Sequence, residues 1–346
     1  MSKKKRRKSK NKNYMPLVPI ISVLIVVGFV YLAFFKEDNV PNKEDGTTDN
    51  TTVGIITENT TKDNQEASSV PQSETEDETS TEPQSEPVQD GNKVHFDNFT
   101  ISSELRNLPT DMISLGYSLA NTQRDEYNRP VFIENIDSQY GDRYNARFIG
   151  EEGTKKVYIT FTSGYEYYVD GVANTDRLIE ILNEKNVPAI FFVDGGYVRN
   201  NPDMCRKLVD NGYIVGCHGW DHPTEGVASY SIEDQYEDAK KIYEAIYEAT
   251  GVEPYYYRFG SGIWNERALA LLSELGFKNV FYSLTYYDYD VNNQPDVAET
   301  LDMMIENLHD GEIIYMHTVS NTTVAMLGDF IDAARAKGYE FDVIPY

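Results

Sequence analysis

The chain has 346 residues, with 31 Lys and Arg against 56 Asp and Glu, for a net charge of −25. A surface this acidic excludes nucleic acid as a partner, because phosphate binding needs clustered cations. Two cysteines, Cys205 and Cys217, exclude a disulfide-stapled scaffold, while 26 Tyr and 15 Phe are ample for a folded core.

Residues 1–14 form a basic tail holding Lys3, Lys4, Lys5, Arg6, Arg7, Lys8, Lys10 and Lys12. Residues 15–35, MPLVPIISVLIVVGFVYLAFF, carry no charge. At 1.5 Å per residue such a run spans about 30 Å, the thickness of a hydrocarbon core. It lacks the small-x-small ending of a cleaved signal, so it reads as a retained transmembrane anchor. The basic tail then stays cytoplasmic and the rest of the chain lies outside. Residues 36–92 are rich in Thr, Ser, Glu, Asp, Asn, Gln and Pro. With few large apolar residues to offset chain entropy, they read as a disordered acidic linker. Residues 93–150 mix apolar and turn residues, and read as an N-terminal extension packed on the following domain.

From residue 151 to 346, short apolar runs alternate with amphipathic stretches. The runs are Val157–Phe161, Ala189–Val193, Tyr213–Cys217, Tyr255–Tyr257, Asn279–Ser283 and Glu312–Met316. Helices are expected over Thr175–Lys185, from an N-cap at Ser231 to Thr250, over Trp264–Leu275, over Asp296–Leu308 and over Asn321–Lys337. Strand–helix alternation of this kind predicts an α/β fold with a parallel sheet, open or closed into a barrel.

In such folds chemistry gathers at the C-terminal ends of strands. The residues there are Thr162-Ser163-Gly164-Tyr165-Glu166, His218-Gly219-Trp220-Asp221-His222, Arg258, Asp288 and His317. His218 and His222 are four apart, one helical turn, a spacing that lets both imidazoles face zinc or a similar divalent metal. Arg258 can hold a substrate or pair with an acid, Asp288 or Asp290 being the nearest candidates. His95 and His309 fall outside this pattern.

In this order the motifs resemble those of the polysaccharide deacetylases, carbohydrate esterase family four. The family pattern is T-F-D-D-G, H-[ST]-x-x-H, R-P-P or R-P-Y, D-W and L-x-H. Gly164-Tyr165-Glu166, Asn292-Asn293-Gln294 and His317-Thr318-Val319-Ser320 resemble the branch of delta-lactam-biosynthetic peptidoglycan de-N-acetylases. The resemblance implies a deformed (β/α) barrel that removes acetyl groups from amino sugars of peptidoglycan with a divalent metal, zinc being expected. It makes His218 and His222 metal ligands and His317 the general acid, with Arg258 and Asp288 as the positioning pair. Two positions depart from the pattern. Thr162 stands where the base Asp belongs, and Ser163 where the ligand Asp belongs. A threonine hydroxyl is no base at neutral pH. Glu166 and Asp221 are therefore the expected substitutes, Asp170 and Asp194 also being close in sequence. Tyr165, Trp220 and Tyr289 are expected to line a sugar groove. Phe259-Gly260 replaces two prolines and should reshape the groove wall. A catalytically inactive, glycan-binding or regulatory cell-wall protein on the same fold is the alternative. Either form suits an enzyme or binder anchored in the membrane of a Gram-positive bacterium with its C-terminal domain outside.

Overall fold

A computed structural model describes residues 93–116 and 122–345. The basic tail, the anchor at 15–35 and the linker at 36–92 lie outside the described residues. Among the described residues, no helix is long and apolar enough to cross a membrane.

The apolar runs form one parallel sheet. Its strand path is Leu284–Thr285, Glu312–His317, Lys156–Ser163, Ala189–Val193, Ile214–Cys217, Tyr256–Tyr257, Lys278–Val280 and Ala146–Arg147. Glu340–Phe341 adds a further parallel pairing on Lys156 and Val157. Continuous apolar runs suit this sheet because both of its faces are covered. Ile159, Phe161, Phe191, Val193, Ile313 and Ile314 are all buried, and each such side chain contributes roughly 1.5–3 kcal/mol.

Two strands far apart on this path belong to one stretch of chain. Lys278–Val280 pairs with Tyr256 and Tyr257, while Leu284–Thr285 pairs with Ile314 and Tyr315. Only Phe281, Tyr282 and Ser283 separate them. The bend in this segment brings the path back on itself, giving the curled, deformed barrel. The sequence reading took Asn279–Ser283 as a single strand; the bend divides it.

Register sets the rim. His317 is paired with Thr162, Ser163 with Val193, Val193 with Cys217, and Cys217 with Tyr257. The next residues along these strands, Asp194, His218 and Arg258, are therefore brought to a common level.

The helices follow their capping signals. Ile232–Thr250 begins where Ser231 accepts the Asp234 N–H and ends at Gly251 in the left-handed conformation, φ 75°. Val297–Glu306 is capped by Asp296 and Asn321–Ala336 by Ser320. One boundary differs from expectation. Trp264 lies in a short strand, Ile263–Trp264, paired with Ile113–Ser114, and the helix starts at Glu266 with Asn265 as its cap. The extension also does more than pack on the sheet. Its Ala146 and Arg147 extend the sheet beside Asn279 and Val280, because the preceding helix, Val131–Tyr140, turns the chain back there through Gly141 and Asn145.

Candidate active site

The strand ends enclose a cleft of about 440 Å³, lined by Thr162, Gly164, Tyr165, Asp194, His218, His222, Thr224, Ser261, Tyr289, Tyr315, His317 and Val319. Three histidines predicted from two strand ends thus share one cavity. His309 is elsewhere. It is fully buried, with its ring on the Ser283 hydroxyl and the Asn307 carbonyl, both at 2.8 Å.

The segment from His218 to His222 is a loop, not the helical turn that the four-residue spacing suggested. Gly219 has φ +86°, and a Cβ there would lie 2.8 Å from the Asp221 carbonyl oxygen. Asp238, on the helix Ile232–Thr250, fixes the loop. Its carboxylate accepts the backbone N–H groups of Trp220 (3.0 Å) and Asp221 (2.8 Å). The two rings end 5.2 Å apart at 52°. His218 is buried and His222 exposed. His218 Nδ1 donates to the Arg258 carbonyl at 2.9 Å, which leaves Nε2 with its lone pair. Burial first, then the neighbouring His222, holds His218 well below the usual imidazole range, so the ring is neutral, as a metal ligand must be. Gly260 gives His222 its place, since a Cβ at 260 would lie 3.0 Å from His222 Nε2.

Asp238 also supplies a pH test. Burial pushes its carboxyl up to about 6, against the two backbone N–H groups that favour the charged form. A carboxyl raised on folding stabilises the fold below its unfolded value, near 4, and that contribution is lost as pH rises through about 6. Asp238→Asn has no such titration. Its stability relative to the native chain should therefore rise by about 2 kcal/mol between pH 4 and pH 7, measured by urea unfolding. A flat difference over that range would exclude a raised Asp238 carboxyl.

His317 is held at three points. Its Nδ1 lies 2.6 Å from Asp288 Oδ1, its backbone N–H donates to Asp288 Oδ2 at 2.7 Å, and its Nε2 lies 3.0 Å from the Tyr315 hydroxyl. Thr323 Oγ1 also donates to Asp288 Oδ2, at 3.2 Å. Asp288 has no exposed surface.

Arg258 does not pair with Asp288 or Asp290. It is buried at 1% exposure, and its Nε and Nη2 donate to the carbonyls of Val280 (3.2 Å) and Phe281 (3.1 Å). Its guanidinium stacks on Phe192 and Tyr315, at 4.4 and 5.0 Å from the ring centroids. The physical reason is the bend after Val280, which turns backbone carbonyls towards the cation. Asp288 is already committed to His317. Arg258 therefore supports the cleft from beneath and does not line it.

The first motif divides. Thr162 faces the cleft at 2% exposure, and its hydroxyl has no hydrogen-bond partner among the described residues. Ser163, on the opposite face of the strand, accepts the Thr318 hydroxyl at 3.0 Å. Neither expected substitute carboxylate reaches the cleft. Glu166 accepts the Tyr197 hydroxyl at 2.8 Å and the Thr175 N–H at 3.3 Å, which ties it to the following helices. Asp221 points away, into a separate cavity with Trp220, Tyr230, Asp234, Glu237, Asp238 and Lys241. Among the cleft-lining residues the carboxylate is Asp194. Its Oδ1 accepts the Tyr197 N–H at 2.7 Å, and its Oδ2 lies 3.0 Å from where a Cβ on Gly164 would stand. Burial raises the Asp194 carboxyl, while the Tyr197 N–H and the charge of His222 pull it down.

Of the aromatic residues expected to line a groove, Tyr165 and Tyr289 line the cleft and are exposed. Trp220 does not. It lies against Gly195 and under the Arg199 guanidinium, 4.4 Å from its ring centroid. Tyr315 and Ser261 were missed by the sequence reading. The alternation of a strand could have found Tyr315, which shares the face of His317 two residues on.

Among the described residues, the one trio of His, Cys, Asp or Glu whose donor atoms all lie within 4.8 Å of one another is Asp125, Glu134 and Glu152. That trio is outside the cleft, and Arg129 already engages two of its members, Glu134 at 2.8 Å and Asp125 at 3.9 Å. His218, His222 and Asp194 are not drawn together to that distance.

The polysaccharide deacetylase family model matches residues 149–280. Peptidoglycan-N-acetylmuramic acid deacetylase PdaA of Bacillus subtilis is 30% identical over 204 residues, which cover 59% of this chain and 75% of that protein. The chain belongs to the polysaccharide deacetylase family. An uncharacterised 30.6 kDa protein of Geobacillus stearothermophilus is 34% identical over 201 residues, 58% of this chain and 73% of that protein. The solved structure of Bacillus subtilis PdaA, a family 4 carbohydrate esterase, superposes with a TM-score of 0.61 at 27% identity, covering 68% of this chain and 97% of that one. Deacetylases of this family are hydrolases of N-acetyl amide bonds, and the cleft described above occupies the strand ends of that fold.

Proposed function

We propose that this chain removes N-acetyl groups from amino sugars of peptidoglycan, working at the outer side of the membrane that residues 15–35 would span. The observation that carries the reading is the convergence of His218, His222 and the Asp288-held His317 on one cleft at the strand ends. PdaA and the other peptidoglycan deacetylases among its relatives support the substrate class.

The donor chemistry suits a divalent metal, with zinc as the proposed ion. His218 is neutral and its Nε2 has no partner among the described residues, His222 stands beside it, and Asp194 is the carboxylate within the cleft. These three would hold the ion, a two-histidine, one-carboxylate set. Bound there, the metal would polarise the acetyl carbonyl and acidify water. Asp194 would thus replace the ligand lost at Ser163, from the neighbouring strand. The exposed rings of Tyr165 and Tyr289 flank the opening, where sugar faces can stack. His317, oriented by Asp288, handles the proton that the leaving amine requires.

A second reading, a glycan-binding protein without turnover, is favoured by Thr162 and Ser163, which leave the first motif without a carboxylate. One experiment separates the two. The native protein is incubated with purified, fully N-acetylated peptidoglycan, and its muropeptides are weighed by mass spectrometry. Loss of 42 Da per acetyl group is expected. Binding to the same sacculi with no mass loss at any metal loading would establish the second reading instead.

A further inference from the structure

Resting on that reading, we infer that Tyr315 is the group that exchanges protons with the reactants in this cleft, with His317 and Asp288 as the relay behind it. The family pattern places Leu two residues before the strand-end histidine. Here that place holds a phenol. Tyr315 lines the cleft, is 2% exposed, and points its hydroxyl at His317 Nε2, 3.0 Å away. On the other side of the ring, Nδ1 is 2.6 Å from Asp288 Oδ1. Asp288 is an acceptor, so Nδ1 carries the imidazole proton and Nε2 receives the phenol's. The order hydroxyl, imidazole, carboxylate is that of a hydroxyl activated by a histidine–aspartate pair. Both residues line the cleft and Nε2 already faces the phenol, so the Tyr315 oxygen is the atom that takes the proton of a reactant bound there. The Arg258 guanidinium, 5.0 Å from the Tyr315 ring centroid, favours negative charge developing on that oxygen.

Thr162 completes the arrangement. It is paired with His317 across the sheet, it lines the same cleft, and its buried hydroxyl lacks a partner among the described residues. A buried hydroxyl without a partner costs about 1–3 kcal/mol, which a bound polar atom would offset. The acetyl carbonyl oxygen is the acceptor that this donor can serve as negative charge builds on it. The first motif has lost a carboxylate, and the neighbouring strand has gained a hydroxyl backed by a base.

The proton transfers balance without a co-reactant. As water attacks the acetamide carbon, its proton passes to the Tyr315 oxygen while the phenol proton passes to His317 Nε2. The imidazolium is held by Asp288. When the C–N bond breaks, Nε2 returns its proton to the phenol, and the phenol proton goes to the amine nitrogen. A free amine and acetic acid leave, the acid giving up its proton to solvent.

The test uses the full chain, with fully N-acetylated peptidoglycan and an N-acetylglucosamine pentamer as probes. Tyr315→Phe keeps the ring and its packing, and should lower acetate release by roughly 10²–10⁴-fold. In ¹⁵N spectra of histidine-labelled protein, the His317 Nε2 resonance should shift as it loses its hydrogen-bond donor. Tyr315→Leu should be equally impaired, and adding Thr162→Asp to it should restore activity at least tenfold, a rescue that a purely structural tyrosine would not permit. An active native protein whose Tyr315→Phe variant stays within threefold, or whose Nε2 resonance does not move, overturns this inference and leaves the deacetylase reading standing. A native protein that releases no acetate from either probe overturns both.

Discussion

Asp288→Asn is expected to lower deacetylation by roughly 10³–10⁴-fold while leaving the fold in place, the size of effect that follows when a catalytic histidine is forced into the wrong tautomer. The argument comes from the three bonds Asp288 accepts. Its Oδ2 takes the backbone N–H of His317 and the Thr323 hydroxyl, and its Oδ1 takes the Nδ1 proton. An asparagine has a single oxygen. The His317 backbone N–H can only donate, so that oxygen must face it, and the amide NH₂ is left against Nδ1. Nδ1 must then accept, and the imidazole proton moves to Nε2, opposite Tyr315. The loss should fall on kcat, with KM nearly unchanged, because Asp288 is fully buried and touches no ligand. A kcat within tenfold of native, or a KM that rises as kcat falls, would show that Asp288 serves packing alone.

His218→Ala should remove zinc and activity together. The native chain, dialysed against zinc and then against buffer, is expected to retain one equivalent by elemental analysis, and the variant none. The two histidines predict different stability costs. His218 is buried and its Nδ1–H satisfies the Arg258 carbonyl, so its loss strands a buried acceptor, at about 1–3 kcal/mol. His222 is exposed, and His222→Ala should lose the metal at almost no cost to the fold. Zinc retained by both variants would place the ion elsewhere.

The barrel and its rim were legible because strand-end residues follow buried apolar runs, and such runs are the strongest pattern a sequence carries. Ser231 and Gly251 marked the ends of a 19-residue helix for the same local reason. What escaped notice was set by residues distant in sequence. The loop bearing His218 and His222 owes its shape to Asp238, on a helix that follows it, so spacing alone suggested a helical turn. Arg258 and Asp288 looked like partners because both follow strands. The bend at Phe281 offered the cation carbonyls, and His317 took the carboxylate. Glu166 was close to the cleft in sequence, but Tyr197, 31 residues on, drew it away. Asp194 ranked behind Glu166 and Asp221 because it lies outside the motif segments, and Tyr315 was passed over because the family pattern holds an apolar Leu at its place.

The bend at Phe281–Ser283 has a consequence for selectivity. Every ladder of the curled sheet can keep its bonds while the curvature changes, provided the angle at this one hinge changes with it. The hinge is packed among large side chains, with Phe281 stacked on Phe148 at 4.1 Å. Resizing those rings would widen or narrow the mouth without altering a proton-bearing atom. The bulk of glycan admitted can therefore evolve independently of the chemistry performed on it.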